Sequence, residues 1–589
     1  MKEREKIEEK YKWDLSPLCK NDEECYKKIE EIDKYLEKVK KYEGKLNNKK
    51  DILNYLKLAE EIDEKFDPII LYCHLKSAEN ISDSKRNEME EKLEYKLNQF
   101  SIETSFVYSE FNELSNEMLD DIIKDKKFKN YDRMFEHIKK DKKHTLSKKE
   151  EKLLSGMSFL GGFSSNMSIF SDADLKFDKI KDSKGKEYEL NQSNYGVLIR
   201  SEDRELRKNA MKTLNGTFGK YIHFLSNNFI NEIKSSCYFA KIRNYNSCIE
   251  SALENEEVSR KVYDTLIKCI HENFDILFDY FKEKQKLMGL KDFYIYDSTA
   301  YITKGKSKKY TYDEAIEIVK KAVSPLGEEY VKLIQRAKDE RWIDVMPNKD
   351  KDSGAYQTGV YGYHPYVLTN FEGDIDSIFT LAHELGHAMH SYFSDKTQPR
   401  QKSSYVIFLA EIASVTNEVL LLNYLISTAK TKDEKIFYYS KIFEEVKLTM
   451  FRQAMFAEFE EKIYDMQENG DVLTKDKLCN LYYDLNKMYF GKTKLIDEIH
   501  YEWARVPHFF RTFYVYKYAI GMICAINFAN RILSKEEGAL DDYFKFLSAG
   551  CSDTPIEILK KSGCDLETDQ PFDKCFDYLR KTLQNWKKI

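Results

Sequence analysis

Apolar residues recur at helical spacing along most of the chain. Ile52, Leu53, Tyr55, Leu56, Leu58 and Ile62 mark one amphipathic helix, and similar periodicity runs through 22–110 and 202–290 with few breakers. Residues 112–200 continue as helices ending in a Gly/Ser-bearing loop at 156–168, then a hairpin around Asp182 to Gly185. Two stretches, 291–303 and 341–346, read as strands. Between 353 and 373, glycines, tyrosines and β-branched residues alternate irregularly, which predicts a small β-ribbon. After 374 helical spacing resumes to the end. The pattern predicts a mainly α, multi-helical chain with a small β-sheet beside the helix that starts near 374. Internal repeats and low-complexity linkers are absent from the sequence, so the expected boundary near residue 200 is a weak one.

The helix after 374 carries the chemistry. Asp374 or Asp376 suits an N-cap, and Ile378, Leu381, Ala382, Leu385 and Met389 supply an apolar face. No proline interrupts 366–398, so at least about four turns are allowed. On this helix stands His383-Glu-Leu-Gly-His387. Positions four apart lie about 40° apart around the axis and roughly 6 Å along it. His383 and His387 therefore offer imidazole nitrogens to one ion, the usual signature of a zinc hydrolase. Glu384, beside the first ligand, suits a general base toward a metal-activated water. The competing reading is a core helix whose histidines are satisfied by hydrogen bonds.

A hydrolytic zinc site needs a third protein ligand and one open position. Phe408 to Glu418 is again helical in pattern and contains two carboxylates. Glu411, 24 residues after His387, sits among Leu409, Ala410, Ile412 and Ala413. A carboxylate in that setting is costly unless paired or metal-bound. Glu411 is the preferred ligand and Glu418 the alternative. Ser414, one turn after Glu411, is placed to orient a ligand. His390 lies on nearly the same face as His383 and His387 and is a third ligand, a supporting donor or a substrate contact. One straight helix has difficulty wrapping three successive side chains around one ion, which favours the supporting role.

Three stretches resemble the thimet-oligopeptidase-like metallopeptidases, specifically oligoendopeptidase F. They are Thr380 to His390, Ala410 to Glu418, and Val506 to Gly521; Trp13-Asp14-Leu15 and Arg204 to Tyr245 add to the likeness. The resemblance implies a zinc-peptidase fold enclosing a deep channel and a cytoplasmic endopeptidase that cleaves short peptides and spares folded proteins. It implies one Zn2+ held by His383, His387 and Glu411, with Glu384 as base. The organisation along the chain, with its boundary near 200, gives an N-terminal helical domain over 1–200 and a catalytic domain over 201–589. The family places a histidine and tyrosines from the segment 500–518 near the metal. Donors aimed at a developing oxyanion typically lower the barrier by a few kcal/mol each. The order of candidates is His508, Tyr514 and Tyr516, with His500 and Tyr518 behind as substrate contacts. Tyr514 and Tyr518 share a helix face, and Tyr516 points elsewhere.

The ribbon before the motif offers a different service. An exposed edge strand pairs with an extended peptide main chain regardless of its side chains. Gly354, Ala355 and Tyr356 are the candidates there, with Tyr361 to His364 as a second set.

Composition narrows the alternatives. Charged residues make up 33% and hydrophobic ones 42%, as in globular proteins. The net charge of -6 argues against a nucleic-acid partner, and the Lys/Glu-rich runs near 1–50 and 125–150 read as solvated helix faces. Eleven cysteines without a Cys-x-x-Cys pair read as reduced thiols in a cytoplasm. The charged N-terminus shows no secretory signal, and no uncharged apolar stretch approaches 18 residues, so no membrane is expected. Two rival functions remain. A dipeptidyl carboxypeptidase would grip a terminal carboxylate with Arg511 or Lys517. An inactive helical peptide-binding protein would bind peptide without turnover.

Overall fold

The computed structural model describes residues 2–156, 161–302 and 308–589. Helices dominate, and the described residues include five short strands. By its internal packing the chain divides into two compact units, each assembled from three stretches. The first comprises Met1–Lys143, Ser307–Leu421 and Arg531–Gly563; the second comprises His144–Lys306, Leu422–Asn530 and Cys564–Ile589. Residue 200 lies inside the second unit.

In the first unit the N-terminus is woven into the core. Trp13 is buried, packs edge-on against Tyr366 at 6.4 Å and donates its indole N–H to Glu79 at 2.9 Å. Glu79 ends the long helix Lys49–Glu79. The adjoining sheet has strands β3 (Ile343–Asp344), β4 (Tyr356–Thr358) and β5 (Tyr366–Leu368) in the order β3-β5-β4. β3 runs parallel to β5, and β4 antiparallel, with Tyr356 opposite Leu368 and Thr358 opposite Tyr366. The ribbon expected between 353 and 373 is therefore β4–β5, and the strand expected at 341–346 is β3. β4 is an edge of this sheet. Arg4 bridges Asp344 of β3 at 2.6 Å, and Lys351 joins the same carboxylate at 2.7 Å. All three are buried, so the charges are paired.

The second unit holds the predicted hairpin: β1 (Ile180–Lys181) and β2 (Glu187–Tyr188) pair antiparallel across a turn in which Gly185 has φ +81°. The left-handed backbone there suits glycine. The strand expected at 291–303 is not a strand. Ile295–Asp297 forms a 3-10 turn, and the pairing present is one bridge between Tyr294 and Lys494; residue 303 lies outside the described residues. The Asp297 carboxylate accepts the Tyr294 N–H at 3.0 Å and closes the turn, which period-2 alternation does not reveal. The loop expected at 156–168 is in part the helix Phe163–Ile169, while 157–160 lie outside the described residues.

Candidate active site

The motif helix spans Ile375–Thr397, with Asp374 as its N-cap accepting the Ser377 N–H at 2.8 Å. Gly373 precedes the cap at φ +78°; a Cβ there would lie 2.7 Å from the Tyr310 carbonyl oxygen. Ile378, Leu381, Ala382, Leu385, Ala388 and Met389 are buried and fix the helix rotation. His383 and His387 are left side by side, their Nε2 atoms 3.2 Å apart.

A second helix, Ile407–Thr428, lies directly against the first. It is the one described helix long and apolar enough to cross a membrane by composition, yet Leu409, Ile412 and Ala413 are core residues. The motif glycine explains the close approach. A Cβ on Gly386 would lie 2.5 Å from Ser414 Cα and 2.8 Å from the Ala413 carbonyl oxygen. Asn417 donates to the Ala382 carbonyl at 3.0 Å and accepts from the Tyr330 hydroxyl at 3.0 Å, which locks the pair. We expect Gly386→Ala to force the helices apart, costing about 1–3 kcal/mol as overpacking does. Thermal unfolding and metal content should both fall.

This contact brings Glu411 to the histidines. Its Oε2 lies 3.5 Å from His383 Nε2 and 3.8 Å from His387 Nε2. A triangle with those sides has room for an ion at the ~2.0–2.2 Å that zinc takes to imidazole nitrogen and carboxylate oxygen. The donor set therefore fits the ion. Ser414 donates to Glu411 Oε2 at 3.3 Å and to the Glu411 carbonyl at 2.9 Å. Glu418 sits two turns beyond Glu411 and reaches the other ring nitrogen, His383 Nδ1, at 2.5 Å. That arrangement fixes the tautomer presenting Nε2 and raises ligand basicity. From sequence Glu418 is only the alternative ligand, although its seven-residue offset from Glu411 places both on one face. Gly386 and Asn417 gave no chemical signal of their own. Glu418→Gln is expected to weaken metal binding ~10–100-fold, readable by competition with a chelator.

The electrostatics favour a cation. Glu384, Glu411 and Glu418 surround two imidazoles. For His383, burial lowers the pKa, but the Glu418 hydrogen bond and nearby carboxylates outweigh it and carry the value to about 9. Burial, followed by the charge of His383, pushes His387 down to about 3. Burial raises Glu384 to about 7, partly opposed by His383.

The other candidates divide. His390 is buried, stacks on Tyr405 at 3.7 Å and is not one of the converging trio. Gly354 has φ +83° and its carbonyl accepts from Asn370, while Ala355 leads into β4. Tyr356 directs its ring to His74, 5.9 Å away, so its main chain rather than its phenol lies at the sheet edge. Ser391 of the motif helix bonds Gln357 of β4 at 3.2 Å, tying that edge to the site. Tyr361 bonds the Gln398 carbonyl and His364 stacks on Trp342, which gives both structural roles.

The 500–518 segment belongs to the second unit. His508 Nε2 lies 3.5 Å from the Tyr518 hydroxyl, and the Tyr514 and Tyr518 rings are 5.5 Å apart, so these three form one cluster. Tyr516 is buried against Tyr263, 5.3 Å away, and His500 stacks on Tyr483 at 4.1 Å. Lys517 is ion-paired with Glu256. A second trio of potential ligands in this unit, Cys237, Cys248 and Glu468, has donor atoms within 4.8 Å of one another.

Comparison with known proteins places this geometry. Residues 197–578 match the family model of peptidase family M3, and 110–177 match that of oligopeptidase F. Oligopeptidase PepF of Bacillus subtilis is 35% identical over 591 residues, spanning 100% of this chain and 88% of that protein. An oligoendopeptidase F homolog of Lactococcus lactis is 33% identical, spanning 100% and 98%. The oligoendopeptidase F structure from Enterococcus faecium superimposes with a TM-score of 0.72 at 28% identity, covering 96% of this chain and 99% of that one. A Chlamydophila abortus structure gives 0.95 at 34% identity, covering 100% and 99%. The chain thus belongs to peptidase family M3, as a metalloendopeptidase of the oligoendopeptidase F kind that acts on oligopeptides.

Proposed function

We propose that the protein is a zinc endopeptidase for short unstructured peptides, with one ion held by His383, His387 and Glu411. The observation that carries this is the donor triangle of 3.2, 3.5 and 3.8 Å on two helices in contact. When bound, zinc supplies a Lewis acid for the scissile carbonyl and lowers the pKa of a water. Glu384 takes the proton of the attacking water on its carboxylate and delivers it to the leaving amine. Its burial raises its proton affinity, as that double task requires. Glu418 and Ser414 hold His383 and Glu411 in their binding orientations. The β4 edge pairs with substrate main chain, which gives sequence-tolerant binding. Eleven free thiols suit a reducing cytoplasm.

The test is elemental analysis joined to activity. One zinc per chain, loss of cleavage of an end-blocked quenched peptide on chelation, and recovery on adding zinc are expected. Cys237→Ser is the control, since its metal content should match wild type. Activity that survives complete metal removal overturns the proposal, and strict removal of C-terminal dipeptides would point to the carboxypeptidase reading.

A further inference from the structure

The second unit contains a cavity of about 220 Å³ at the meeting of residues 195–200, 295–299, 447–452 and 502–505. Arg200, Lys447, Arg452 and Arg505 line it, with Glu502 as the lining carboxylate. The charges around it are unevenly matched. Arg452 and Arg505 share Glu502, at 3.0 and 3.6 Å. Lys284 and Lys447 share Glu444, at 2.5 and 2.8 Å. Arg204 and Arg207 share Asp297, at 2.8 and 2.7 Å. Arg200 bonds the Gly196 carbonyl at 3.1 Å. Every carboxylate in this network serves two cations.

Such a surplus is unfavourable in a buried place. Lys284, Lys447, Arg207, Asp297 and Glu502 are all at most 3% exposed. Buried like charges repel strongly because little water screens them. Burial lowers the pKa of Lys447; Glu444 opposes this, and Arg452 and Arg200 add to the lowering. Burial likewise holds Lys284 down to about 8 despite Glu444. The Arg505 Nε–H is buried without a hydrogen-bond partner, a donor left for something else.

We infer that this cavity is a binding site for a small multivalent oxyanion of the phosphate type, held by the guanidinium groups of Arg200, Arg452 and Arg505, while the Lys447 ammonium, whose three N–H groups go to Ser298, Thr299 and Glu444, adds its charge alone. The volume exceeds what a monatomic ion fills. Guanidinium forks grip tetrahedral oxyanions through paired N–H groups. Residues 502–505 lead directly into the segment carrying His508, so the bound anion braces that segment. The inference stands apart from the zinc proposal, because it concerns residues of one unit and a different ligand.

The probe is inorganic phosphate, titrated into the full-length protein at constant ionic strength made up with chloride. Calorimetry should show saturable binding at one site per chain, and the unfolding temperature should rise with occupancy. Acetate and succinate at matched ionic strength should bind at least tenfold more weakly. Arg200→Gln should weaken phosphate at least tenfold; Arg200 holds no carboxylate in this network, so none is orphaned. Arg505→Gln is the second variant, since Arg452 still pairs Glu502. Wild-type crystals soaked in arsenate should show anomalous density in the cavity, a readout independent of variant folding. No saturable binding, no density, equal affinity for the carboxylates, or unchanged affinity in both variants would each overturn the site.

Discussion

Glu384→Gln is expected to keep zinc at wild-type stoichiometry and to lose peptide hydrolysis by roughly 10²–10⁴-fold, the span typical of a missing general acid–base. The amide preserves the shape of the side chain in a buried site beside His383, so folding should be little changed. It cannot accept the proton of the attacking water. Binding of peptide should persist, because the β4 edge is untouched, and the loss should appear in kcat rather than KM. Steady-state kinetics on a quenched peptide, with metal content measured in parallel, checks this. Full activity in the variant would sink the assignment of Glu384 as the base.

Glu411→Ala is the second large effect. It removes one of three donors, and the two histidines alone offer an incomplete site. We expect the purified variant to carry substoichiometric zinc and to show activity below a hundredth of wild type. Glu411→Gln should fall similarly, because a neutral amide oxygen is a weaker donor than a carboxylate. The Ser414 hydroxyl loses its bond to the Glu411 carboxylate but keeps the one to the Glu411 main-chain carbonyl, and Gly386 still seats the motif helix against Ser414. Circular dichroism should therefore remain that of wild type, which separates loss of metal from loss of fold. Activity recovered by excess zinc would mark Glu411 as an affinity determinant; wild-type zinc content at purification would remove it from the ligand set.

What the chain alone determined follows from short-range periodicity. The i, i+4 spacing of His383 and His387, the flanking apolar stripe and the absence of proline suffice to place two imidazoles on one helix face. The β-ribbon before that helix and the hairpin at Gly185 were legible for the same local reason, turn chemistry between short strands. What only the tertiary structure decided depends on contacts distant in sequence. Glu411 and Glu418 stand on one helix face, and local pattern does not say which carboxylate meets Nε2 and which meets Nδ1; the close approach at Gly386 does. Tyr514 and Tyr516 look alike in sequence, but packing buries Tyr516 against Tyr263 and gathers Tyr514 with Tyr518 and His508. Trp13 reads as an isolated N-terminal motif until Tyr366 and Glu79, far along the chain, receive its ring and its N–H. Hydrophobic burial has no direction, so patterning says that a residue is inside, and only the folded partners say against what.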